Sequence, residues 1–226
     1  MLRRSSLLLP LLCLSAALHA EPQSAAVQYA EQLTTPEAGK CTTVAVDLEN
    51  SPNFTTVALD AQRSELRYRM AWNNIAEGWS WHPGADPDQE DYYRFKFLPL
   101  QSVNEQRNTY RAEDKIGTAQ EMQVLWRYDY FLAFENLYDF YPRSIDDDAG
   151  FTLTIGGAPP AHPVMLATAC LEAPVTSEST TFWKATYSHP QDYTLKKRYL
   201  IGHLQRIAFV DGDSGALLGV IEPAGN

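Results

Sequence analysis

From Cys41 onward the apolar residues of this chain recur mostly with a period of two, the signature of half-buried β-strands. Glu65–Trp72 alternates Leu66, Tyr68, Met70 and Trp72 with Arg67, Arg69 and Ala71, and Tyr92–Leu100 alternates Tyr93, Phe95 and Phe97 with Arg94 and Lys96. The longest regular stretch is Glu121–Phe134. Met122, Val124, Trp126, Tyr128, Tyr130, Leu132 and Phe134 share one face there, and Gln123, Leu125, Arg127 and Asp129 share the other. Shorter β-branched or alternating runs predict strands over Cys41–Leu48, Phe54–Leu59, Phe151–Ile155, Pro163–Leu171, Thr181–Ser188 and Tyr199–Val210. The last of these turns through Asp211-Gly212-Asp213-Ser214-Gly215 onto Ala216–Ile221, a Gly/Asp-rich hairpin. Only Glu21 to about Thr35 departs from this period. There Ala26, Tyr29, Ala30 and Leu33 recur at helical spacing before Pro36-Glu37-Ala38-Gly39 interrupts them. The pattern predicts a mainly β fold, an antiparallel sandwich or barrel of roughly nine to ten strands with a short N-terminal helix. An α+β arrangement is the alternative.

The N-terminus changes the picture from fold to address. Met1-Leu2-Arg3-Arg4 is basic, Leu7 to Leu18 is almost unbroken apolar, and Leu18-His19-Ala20 is a small-residue exit, the order of a secretory signal peptide. The apolar run is too short to stay in a bilayer, and Pro10 interrupts it as a helix. Cleavage after Ala20 leaves residues 21–226 as one exported β-rich domain with no stretch suited to membrane insertion. A periplasmic or secreted location by the general secretory route is expected.

Export gives the cysteines a meaning. Cys13 departs with the leader, leaving Cys41 and Cys170, an even pair in an oxidising compartment. Neither belongs to a Cys-x-x-Cys or sits beside a histidine, so a disulfide is expected.

Charge narrows the partners. Without Arg3 and Arg4, 16 Lys and Arg remain against 28 Asp and Glu, a net charge of −12. Such a field repels nucleic acid and anionic lipid and favours a basic protein. The 12 Tyr, 9 Phe and 5 Trp make the chain dense in rings, most of which fill the core of a β domain. Trp79 and Trp81, two apart on one strand face, run into His82 and the acidic loop Asp86, Asp88, Glu90 and Asp91. Rings ringed by carboxylates suit cationic side chains, stacked sugars or a protein hot spot, so these seven residues are the candidate binding surface.

Local catalytic signatures are absent from the sequence. Gly212-Asp213-Ser214-Gly215 resembles the nucleophile loop of trypsin-type serine proteases over four residues. Ala216-Leu217 then departs from it, and the residues read as a turn. His82, His162, His189 and His203 are scattered without metal-ligand spacing. No cofactor is expected, calcium at Asp146, Asp147 and Asp148 being the weak exception. The expected function is a non-enzymatic exported binder of a protein partner, in an inhibitor, immunity or accessory role. A small-molecule or glycan-binding β-domain is the first alternative. A carboxylate hydrolase drawing on Asp129, Glu135 and Asp139 is the second.

Overall fold

The computed structural model describes residues 22–35, 37–49, 51–70, 95–113, 117–140 and 150–224. Nine strands and one α-helix lie within them: α1 Ala25–Thr34, β1 Cys41–Asp47, β2 Phe54–Ala58, β3 Arg63–Arg69, β4 Lys96–Glu113, β5 Ala119–Phe134, β6 Gly150–Gly156, β7 Pro163–Trp183, β8 Gln191–Asp211 and β9 Leu217–Ile221. They form two sheets and no closed barrel, so the fold is a β-sandwich. The large sheet runs β1-β7-β8-β5-β4, with β9 also on β8, and the small sheet runs β2-β3-β6. All pairs are antiparallel except β5 with β8.

Three strands set the shape of the molecule. β4, β7 and β8 are 18, 21 and 21 residues long, well beyond the usual five or six. The proximal half of the large sheet meets the small sheet over Leu66 and Tyr68 of β3, Phe151 and Ile155 of β6, and Met165, Ile207 and Phe209 of β7 and β8. Cys41 lies directly opposite Cys170 in the β1–β7 ladder, and the two are disulfide-bonded, which fits an oxidising compartment. Beyond Leu171 the β7–β8 register shifts, and the distal halves of β4, β5, β8 and β7 continue as a four-stranded arm.

Several boundaries differ from those expected. The polar stretch 101–113 belongs to β4 because it pairs with β5 along its length, with only Arg107 bulged out. Pro163–Leu171 and the start of Thr181–Ser188 are one strand, β7, which ends at Trp183, and β8 begins at Gln191 instead of Tyr199. These segments carry few apolar residues, so their strand character comes from neighbours and not from alternation.

The helix forms where expected, capped by the Ser24 hydroxyl on the Val27 N–H, but its buried face is rotated. Ala25, Gln28, Tyr29 and Gln32 are buried while Val27 and Leu33 are exposed. Gln28 enters the interior because its Nε2 donates to the Thr43 carbonyl of β1 at 2.7 Å. Among the described residues no helix is long and apolar enough to cross a membrane.

Candidate functional site

The even-numbered face of β5 behaves as its alternation predicts and carries two environments in series. Leu132 and Phe134 are core. Trp126, Tyr128 and Tyr130 lie farther out, where partnered residues on neighbouring strands are charged. The ladder places Glu105 beside Trp126, Lys196 beside Tyr128, Arg198 beside Tyr130 and Glu178 beside Arg198. Residues opposite one another in a sheet share a face, so cations and rings interleave.

Their contacts form a ladder. The Arg107 guanidinium sits 4.2 Å from the Trp126 ring centroid and the Lys196 ammonium 5.3 Å from it. Arg198 lies 4.5 Å from the Tyr128 ring and 5.3 Å from the Tyr29 ring contributed by α1. Arg107 Nη2 donates to the Tyr128 hydroxyl at 2.7 Å and pairs with Glu105 at 2.9 Å. Lys196 Nζ and Arg198 Nε hold the two Glu178 oxygens at 2.8 and 2.7 Å. Burial works to raise the Glu178 carboxyl, but the hydrogen bonds from Lys196 and Arg198 outweigh it and hold the group below its ordinary value. Burial, assisted by the Glu178 charge, pushes the Tyr29 phenol up to about 12. Among the described residues the arm is covered by stacked cations where the proximal half meets the small sheet, and its rings are already occupied by this chain's own side chains.

The ring surface left open lies farther out, at the tips of two hairpins. Tyr110, Phe182, Trp183 and Tyr187 are 38%, 57%, 49% and 42% exposed. Tyr110, Trp183 and Tyr187 are held in place. The Tyr187 hydroxyl donates to the Thr118 carbonyl at 3.1 Å, tying the β7–β8 turn to the β4–β5 turn. The Tyr110 hydroxyl donates to Asp192 Oδ2 at 2.9 Å, and Asp192 Oδ1 accepts the Ala185 N–H at 2.6 Å. Trp183 packs on Tyr193 with centroids 5.4 Å apart. Beside Tyr110 lies a shallow depression lined by Thr109, Arg111, Ala119 and Glu121.

No family model, curated protein or solved structure matches this chain. What the site can do is therefore argued from its own residues.

Trp79, Trp81, His82, Asp86, Asp88, Glu90 and Asp91 lie outside the described residues, as do Asp146, Asp147 and Asp148. Among the described residues no three His, Cys, Asp or Glu side chains converge as metal ligands. Asp129 points from the opposite face of the arm, where it accepts from Ser102 Oγ and Arg127 Nε, both at 2.7 Å. Asp139 follows β5 in a 3-10 turn and accepts from Asn136 Nδ2. The two carboxylates are separated by the last five residues of β5, about 16 Å of strand, and do not form a pair.

The Asp211–Gly215 segment is the expected turn. Ser214 Oγ donates to Asp211 Oδ2 at 2.8 Å, Gly215 takes φ of 70°, and no histidine receives the serine proton. The Ser214 hydroxyl, followed by the Asp213 N–H, holds the Asp211 carboxyl below its usual value.

Sequence reasoning missed the distal aromatic end because its four rings come from two hairpins about 70 residues apart. One local signal was available. Phe182-Trp183 is an apolar pair at the end of a Ser/Thr-rich strand, with no alternation to carry both rings inward.

Proposed function

We propose that this chain is an exported, non-enzymatic binding protein that recognises a protein partner through the distal end of its sheet arm, in an inhibitor, immunity or accessory role in the periplasm. The observation that carries the reading is the set of exposed rings at the distal end, Tyr110, Phe182, Trp183 and Tyr187, with Phe182 and Trp183 on opposite faces of β7. These large rings stand well exposed at one end, on the last residues of β4 and β7 and on the β7–β8 turn, which hydrogen bonds from Tyr110 and Tyr187 brace. Protein hot spots use such residues because rings bury much area at low conformational cost, and a braced surface loses little entropy on docking. The net charge of −10 for the whole chain favours a basic partner and opposes polyanions such as nucleic acid. The Trp126 ladder supports a glycan or small ligand less well, since Arg107 and Lys196 already cover that ring.

The test is capture of partners by tagged residues 21–226 from the source's exported fraction in moderate salt, with Trp183→Ala and Leu217→Ala run in parallel. A partner retained by wild type and Leu217→Ala but lost with Trp183→Ala, at unchanged melting temperature, is the expected result. Leu217 is as exposed as Phe182 but lies on β9, away from the arm, so it controls for general stickiness. Equal capture by both variants would remove the distal end from the binding surface.

A further inference from the structure

The two flanks of the arm are built differently, and the difference points to self-association. On one side β4 is the outer strand, and it is defended. It is bulged between Pro99 and Gln101 and again between Gln106 and Asn108, and its distal half carries Glu105, Arg107, Arg111 and Glu113. Bulges and in-line charges are the usual means by which a sheet edge avoids pairing with another chain.

The other flank belongs to β7. β1 pairs with β7 only over Val164–Cys170, and α1 reaches the distal part at Ser177, whose carbonyl accepts the Tyr29 hydroxyl at 3.2 Å. From Glu178 to Trp183, among the described residues, no strand pairs with β7 on that side. The six residues are Glu178-Ser179-Thr180-Thr181-Phe182-Trp183. There is no proline, glycine or lysine, and the register with β8 is unbroken across them. The single charge is neutralised internally by Lys196 and Arg198. Four consecutive residues of high β propensity, Thr180 to Trp183, beside one internally paired charge are suited to a pairing edge.

We propose that Glu178–Trp183 is a self-pairing edge whose occupant is a second copy of this chain, the two β7 strands running antiparallel about a two-fold axis. The segment is chemically suited to itself. Around an axis at Thr181 it sets that hydroxyl against the same hydroxyl of the second copy, and a Thr–Thr pair already bridges strands in this molecule. Thr43 and Thr168 bond across β1 and β7 at 2.8 Å. The antiparallel two-fold places Phe182 and Trp183 of each copy over Thr180 and Ser179 of the other, reducing the exposed ring area at both ends at once. The internal pairing of Glu178 means that no unpaired like charge meets at the axis. The molecule's overall negative charge opposes approach only at long range, where salt screens it. This association shares Phe182 and Trp183 with the partner reading but does not rest on it, since it needs no other protein to be observed.

The experiment is sedimentation equilibrium of residues 21–226 alone, over a concentration series at moderate salt, for wild type, Thr181→Lys and Arg111→Ser. Thr181 is exposed, so its lysine variant adds charge to the flank while leaving the β7–β8 hydrogen bonds intact. Wild type and Arg111→Ser are expected to form dimers, and Thr181→Lys to stay monomeric at every concentration with its melting temperature unchanged. A wild type that is monomeric throughout would overturn the proposal. So would a dimer that Thr181→Lys leaves intact, since the contact would then lie elsewhere. Should Thr181→Lys lower the melting temperature, a spin label at Thr180 replaces it as the criterion. One short symmetric distance in the wild-type background supports the pairing, and its absence refutes it.

Discussion

The proximal and distal halves of the large sheet are made from the same four strands yet are stabilised by different physics. Proximally, Met165, Ala167, Leu204, Ile207 and Phe209 are all but inaccessible and pack against the small sheet. Distally, among the described residues, no second sheet covers the same strands. Their inward face is held by Arg107, Lys196 and Arg198 stacked between Trp126, Tyr128, Tyr130 and Tyr29. Apolar burial contributes in proportion to area and depends little on salt or pH. Cation–ring and ion-pair contacts each contribute less, respond to both, and leave a surface on which rings stay exposed. A sheet that is core at one end and ladder at the other can fix a binding surface at a distance from the interior that folds it.

The contrast can be broken from either end. Replacing both Cys41 and Cys170 by serine should have the largest effect, about 4–5 kcal/mol by the chain-entropy argument, because the bond spans a sequence separation of 129. Denaturant midpoints of the oxidised wild type and the double variant check it. Phe209→Ala should cost about 3–5 kcal/mol as a cavity in the proximal core, with a global unfolding transition shifted as a whole. Arg198→Met should cost less, about 1–2 kcal/mol, and locally. Amide exchange should accelerate at residues 126–130 and 194–198 while residues 204–209 keep their protection. Uniform acceleration would mean that the two halves are one cooperative unit.

Acid should sharpen the comparison further. Because the folded Glu178 carboxyl is held below its ordinary value, its contribution is present above the unfolded glutamate value and is lost as pH falls through the lower folded one. The group is partly exposed, so solvent screening keeps the effect below about 1 kcal/mol. The expected readout is a change in Trp126 fluorescence in that acid window, absent in Glu178→Gln. Tyr29 works at the other extreme. Its raised value stabilises the neutral phenol, a contribution complete below pH 10 and lost as pH climbs toward about 12. Smallest of all, Trp183→Ala should alter stability by no more than about 0.5 kcal/mol, since the ring is half exposed, while it removes partner capture.

How far these features were legible in the sequence follows from which interactions are local. Period-two alternation identified the inward face of β5 residue by residue, because side chains of a strand alternate whatever lies above them. It failed over 101–113 and 191–198. There both faces are wetted or charged, and pairing with β5, not burial, keeps the chain extended. The helix was visible, but its orientation was not. Gln28 is buried by a hydrogen bond to Thr43 fifteen residues away, an attraction that hydropathy cannot register. The expected surface around Trp79 and Trp81 rested on rings adjacent in sequence. The distal end gathers Tyr110 with Phe182, Trp183 and Tyr187 across two hairpins.

By itself the sequence determined the strand-rich class, the short helix, the hairpin at Asp211–Gly215 and the pairing of Cys41 with Cys170, since each rests on residue period, turn chemistry or a count of two. Tertiary structure decided that β4, β7 and β8 run past the core, that Arg198 stands among three tyrosines, and that, among the described residues, no strand pairs with the outer side of β7 from Glu178 to Trp183. Those outcomes depend on which strands become neighbours. Neighbours in a sheet are selected by the summed burial and hydrogen bonding of the whole chain, which no local stretch encodes.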